Sequence, residues 1–164
     1  KLANGDTITV TALYDADMAV EYHFQPVNTR AEFLVEGLPE RYASLAEIPE
    51  AYIQESREAA VRALKAEDQE PVYGAFLQGK TAGVRDRILW MYQLEDGRYE
   101  IVLVPDVNNA QVVNRKAIST QQVYLSSKEQ ENRDFAGYVR RVFEADCNIE
   151  ELTESTVPLD TPQD

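Results

Sequence analysis

The densest run of chemistry-bearing residues is Gly74-Ala75-Phe76-Leu77-Gln78-Gly79-Lys80-Thr81. Two such glycines let a backbone turn back on itself, so that successive amides converge on one anion. A lysine after the second glycine brings a point charge to phosphate, and the neighbouring threonine hydroxyl is a magnesium ligand. Tyr99 to Asp106 adds an apolar run ending in a carboxylate. Elsewhere the chemistry is thin. His23 is the only histidine and Cys147 the only cysteine, so the common zinc and copper sets and any intrachain disulfide are excluded. A couple between His23 and Cys147 has no third residue to orient it. Alone, His23 reads as a strand residue on the polar face of a hairpin, and Cys147 as a small packing residue. Among the carboxylates, Asp15 with Asp17, and Glu67 with Asp68 and Glu70, lie close in sequence, but neither set follows a calcium-loop pattern, and both read as solvated turns. Neither a G-x-S-x-G elbow nor a zincin helix occurs. No catalytic residue, metal ligand or cofactor is therefore assigned from these groups.

The G-x-x-x-x-G-K-[ST] pattern resembles the phosphate loop of P-loop nucleotide-binding proteins over eight residues, with Asp106 as a loose companion. The resemblance implies a small nucleotide-binding enzyme in which Gly74, Gly79, Lys80, Thr81 and Asp106 hold phosphate and magnesium. The residues also admit a plain turn between two strands. Phe76 and Leu77 are bulky where a phosphate wrap favours small groups, Pro71 shortens the preceding strand, and Pro105 interrupts the approach to Asp106. The upstream elements do not form the βαβ units that such a loop needs. On the turn reading Lys80 is exposed, and Lys80→Ala costs less than about 0.5 kcal/mol.

The elements that must position these residues come next. In 7–14, Ile8, Val10, Ala12 and Tyr14 alternate with Thr7, Thr9, Thr11 and Leu13. Met18, Val20, Tyr22 and Phe24 then alternate in 18–25, so the two runs around Asp15-Ala16-Asp17 predict a β-hairpin with Tyr14 and Tyr22 facing inward. A short strand over 31–35 is the one feature expected in 27–43. Ser44 and Glu47 have capping-box spacing ahead of a helix reaching to about 67, with Ile53, Ala60 and Leu64 on its apolar stripe and Glu58-Arg62 paired on its wet side. Strand-like runs follow at 72–77, 85–94, 99–104, 111–114 and 120–125, with Asp96-Gly97 marking a hairpin turn. Ser126 or Ser127 caps a last helix over about 128–146, whose Phe135, Val139, Val142 and Phe143 share one face. The expected fold is α+β: an antiparallel sheet of the N-terminal hairpin plus a downstream meander, with two amphipathic helices over one face or end. A small barrel is the alternative for the strands of 72–125. The expected organisation is one domain over 1–147 and an acidic, mobile tail over 148–164, dispensable for folding.

The 164 residues suit a single domain with a sizeable core. Twenty-nine acidic residues against 16 basic ones give a formal net charge of −13, which repels phosphate backbones and anionic membrane surfaces. Nucleic-acid binding is therefore excluded, and no apolar run has the length of a membrane span. A basic protein partner is electrostatically favoured. Without a catalytic constellation, the chain reads as a non-catalytic binding or accessory module acting through protein contacts. The nucleotide-binding enzyme is the first alternative. The second is an acidic decoy that covers a basic surface on a partner.

Overall fold

Three central runs are apolar at nearly every position, the pattern of strands covered on both faces. The computed structural model describes residues 2–65 and 69–152 and shows what covers them. The fold is α+β, and the chain divides into two units, Lys1–Pro39 and Glu40–Asp164.

The second unit is built on a five-stranded antiparallel sheet. Its strands are β3 (Tyr73–Gly79), β4 (Arg87–Gln93), β5 (Tyr99–Pro105), β6 (Ser119–Val123) and β7 (Cys147–Glu151), in the order β6-β5-β4-β3-β7. The expected meander is β3 to β6, and Asp96-Gly97 makes the β4–β5 turn, with Gly97 at φ 82°. The sheet stays open, with β6 and β7 as its edges, and does not close into a barrel. Alternate residues leave on opposite faces. Phe76, Ile88, Trp90, Tyr92, Val102 and Val104 pack under helix α2 (Glu50–Leu64), against its Tyr52, Ile53, Ala59 and Ala60. Ala75, Leu77, Leu89, Met91, Ile101 and Leu103 pack under α4 (Phe135–Phe143), against its Phe135, Tyr138, Val139 and Phe143. The helices thus cover both faces rather than one. Each layer of side chains excludes water from its own side.

Local chemistry explains where the element boundaries differ from expectation. Ser44 makes no capping bond. Leu45–Glu47 is a single 3-10 turn, and α2 starts after Pro49 and ends at Lys65, which takes a left-handed conformation at φ 56°. The capping box forms instead at Ser126 and Glu129, opening a short helix α3 (Ser127–Asn132). The helix expected over 128–146 is therefore two. Arg133 is left-handed at φ 50°, and the Asp134 carboxylate accepts the Gly137 amide at 2.8 Å to start α4. Residues 111–114 are not a strand, because Gln111 at φ 53° and the Arg115 amide on Val113 O turn the chain there.

The boundary expected after Cys147 falls at the start of a strand. Residues 148–151 pair with β3, and the Leu152 amide continues the ladder to Gly74 O at 3.0 Å. The rest of the expected tail, 153–164, lies outside the described residues.

The first unit holds β1 (Thr7–Thr11), helix α1 (Ala16–Glu21) and β2 (Arg30–Leu34). β1 and β2 form an antiparallel sheet of their own, so the N-terminal strands do not join the meander. The partner of β1 is not 18–25 but the short strand near 31–35. Asp15, expected in a turn, is a helix cap: its carboxylate accepts the Asp17 and Met18 amides at 2.9 and 3.1 Å. Tyr14 and Tyr22, expected inward, are exposed, and His23 sits in a turn after α1 at φ 56°. The only buried residue of the described part of this unit is Ala19.

Candidate functional site

The segment that resembles a phosphate loop, read also as a plain turn between two strands, is mostly a strand. Gly74 to Gly79 belong to β3, whose amides and carbonyls are shared between β4 on one side and β7 on the other. An extended strand spreads its amides to both neighbours, so they do not converge on an anion. At the end of β3 the Gly79 amide donates to the Asp86 carboxylate at 2.8 Å, and the Lys80 amide to Asp146 O at 2.9 Å. A carboxylate of the chain itself thus holds the anion position. Lys80 and Thr81 lie exposed in the turn between β3 and β4, and the Lys80 ammonium donates to Glu144 O beyond the end of α4 at 2.5 Å. Asp106 follows β5 at the same end of the sheet as Gly79, Lys80 and Thr81, but it faces Arg85 and accepts from Asn114. Gly74 is toward the opposite end of β3. The geometry supplies no phosphate cradle.

The two glycines have a steric reason instead. A Cβ on Gly74 would lie 2.8 Å from the Trp90 ring, and one on Gly79 would lie 2.2 Å from the Val84 carbonyl oxygen. Both contacts are far inside van der Waals range.

The charge cluster at this end of the sheet is structural in form. Asp86 is buried and accepts from Gly79 N and from the Arg41 guanidinium, which also donates to Gly79 O at 2.7 Å. The hydrogen bonds to Asp86 raise the Arg41 pKa above its ordinary value. Beside it, Arg87 reaches the buried Cys147 sulfur at 3.7 Å. A buried carboxylate, held by an arginine whose side chain is 42% exposed and by a backbone amide, ties the β3–β4 turn together.

Two of the depressions among the described residues adjoin the helices. One, of about 340 Å³, lies along α2 and includes Arg57, Arg62 and Gln69. Its arginines are already paired with Glu70 and Glu58. The other, of about 290 Å³, lies between α4 and β7 and includes Lys80, Arg140 and Cys147, with Arg140 facing Glu151. Inside the core, the hydroxyls of Tyr52 and Tyr92 have no hydrogen-bond partner among the described residues, and burial pushes both phenols up to about 12. They stay neutral and act as packing rings. Among the described residues no group of three His, Cys, Asp or Glu side chains is placed to hold a metal ion. Asp15 with Asp17 gives a helix cap, and the set Glu67, Asp68 and Glu70 lies partly outside the described residues. No helix among them is long and apolar enough to cross a membrane.

The feature that sequence reading missed is in the first unit. Twelve of the 15 exposed large hydrophobic side chains among the described residues fall within its 39 residues. The β1–β2 register explains part of this. Ile8 faces Phe33 and Val10 faces Ala31, so these four share one face of the two-stranded sheet, while Thr7, Thr9, Thr11, Arg30 and Glu32 share the other. Val10 is 54% exposed and Phe33 53%. Around α1 and its flanks Leu13, Met18, Val20 and Phe24 are exposed as well. The alternation of 7–14 was a usable signal for this face; what it lacked was the partner strand.

No protein-family model, curated protein or solved structure matches this chain.

Proposed function

We propose that the chain is a non-catalytic protein-binding module, and that its first unit makes the contact through the apolar face of β1–β2 and the apolar residues beside α1. One observation carries the reading: the concentration of exposed apolar side chains in a unit whose described residues include only Ala19 as buried. A two-stranded sheet is marginal in water by itself, and a segment this short lacks the core to offset the entropy of ordering. Covering Ile8, Val10, Ala31 and Phe33 with a partner supplies that core. Large exposed apolar patches mark interaction surfaces.

Affinity capture from the native lysate by the full chain, compared with its Val10→Ser/Phe33→Ser variant, tests the proposal. A stoichiometric protein retained by the first and lost from the second supports it. A partner indifferent to both substitutions, or none at all, overturns it.

A further inference from the structure

We infer that the partner, on the reading that β1–β2 is a docking face, is a protein whose apolar surface is rimmed by lysine and arginine, and not a second copy of this chain. The inference rests on where the first unit keeps its charge. The face made by Ile8, Val10, Ala31 and Phe33 carries no charged side chain. Carboxylates stand at both ends of it. Asp6 and Glu36 flank the end where the Val35 amide closes onto Asp6 O, and Asp15, Asp17 and Glu21 belong to the connection leaving the other end. Asp15 is engaged as the cap of α1, and Glu32, on the opposite face, pairs with Arg30. Asp17, Glu21 and Glu36 are exposed and form no ion pair among the described residues.

A second copy would bring the same carboxylates against themselves, and like charges across an interface are costly. Anionic lipid and nucleic acid meet the same repulsion. Lysine and arginine around an apolar centre meet the opposite sign and speed encounter. The exposed aromatic rings of this unit supply part of the area such a contact needs. Tyr14, Tyr22, Phe24 and Phe33, each about half exposed or more, offer on the order of 400 Å², half of the ~800 Å² that each side of a stable interface buries.

The test titrates the full chain by calorimetry with three synthetic amphipathic peptides of one length, alternating Leu with Lys, Leu with Glu, and Leu with Gln. The Leu-Lys peptide should bind and the Leu-Glu peptide should not. Binding should weaken by about tenfold or more between about 0.1 M and about 1 M salt, as the screening length falls from about 10 Å to about 3 Å. It should weaken comparably in the triple variant Asp17→Asn, Glu21→Gln, Glu36→Gln, whose changes are all exposed, and vanish in Val10→Ser/Phe33→Ser, which keeps every charge. Equal binding of all three peptides, still lost in Val10→Ser/Phe33→Ser, overturns the basic rim and leaves the docking face standing. Leu-Lys binding indifferent to Val10→Ser/Phe33→Ser overturns both readings. Absence of Leu-Lys binding overturns the rim. So does concentration-dependent self-association, measured by sedimentation equilibrium, that the same double variant abolishes, since the occupant is then a second copy.

Discussion

Asp86 shows what a buried charge does in this fold. It joins the Gly79 amide to the Arg41 guanidinium, and its side chain is almost entirely inaccessible. Asp86→Ala leaves an amide without an acceptor and a guanidinium without its partner, which should cost about 2–3 kcal/mol in urea unfolding. Trp90 is the only tryptophan and lies in the core, so its fluorescence reports the transition. Lys80→Ala forfeits only the bond to Glu144 O on an exposed side chain, and should stay below about 1 kcal/mol in the same assay. A second residue gives a pH signature. Glu129 accepts from Arg141 and from the Ser126 amide, and these bonds, that to Arg141 first, lower its pKa from 4.5 to about 2. The unfolded carboxyl takes its proton near 4.5, before the folded one does. The stability it contributes is full above that pH and is lost as pH falls through about 2. Glu129→Gln should therefore flatten the acid limb of the stability profile between those values, while leaving the slope above pH 5 to other groups, as read by thermal unfolding across pH.

Among the elements, β7 carries the sharpest consequence. Truncation after Cys147 removes Asn148–Glu151 from the β3 edge, together with Ile149 on one face of the sheet and Leu152 on the other. The thermal midpoint should drop by on the order of 10 °C, since each lost kcal/mol shifts a domain of this size by several degrees. A change of only a few degrees would return these residues to the dispensable tail that their acidity suggested. Much of the second unit was legible in advance, because its strands are covered on both sides and so read as unbroken apolar runs: Ile88 to Tyr92 and Ile101 to Val104 are buried throughout. Elements set by one polar side chain were harder. The alternation of Met18, Val20, Tyr22 and Phe24 imitates a strand, yet the Asp15 cap turns Ala16–Glu21 into a helix. Asn148-Ile149-Glu150-Glu151 reads as solvated chain, because a half-exposed edge strand needs only Ile149 to face inward. The Gly74–Thr81 pattern admitted two readings for a related reason. Its glycines answer to Trp90 and Val84, neighbours that only the folded chain supplies.

At the level of the whole molecule, the two units differ in what holds them. Both apolar clusters of the sheet draw only on residues from Tyr42 to Leu152, so the second unit contains its complete core. A chain beginning at Glu40 should fold cooperatively, with Trp90 emission as blue-shifted as in the full protein. The isolated 1–39 segment should show no cooperative thermal transition by circular dichroism, because Ala19 is the only buried one among its described residues. The sheet order also fixes a sequence of events in time. β3 to β6 succeed one another along the chain, but Gln78 on β3 faces Asn148 on β7 across 70 residues. Closing that long loop is entropically later than zipping neighbouring hairpins. Nascent chains therefore carry β3 with one edge bare until residues 147–151 arrive. During that interval a stray strand can occupy the place of β7, and synthesis rate becomes a determinant of yield.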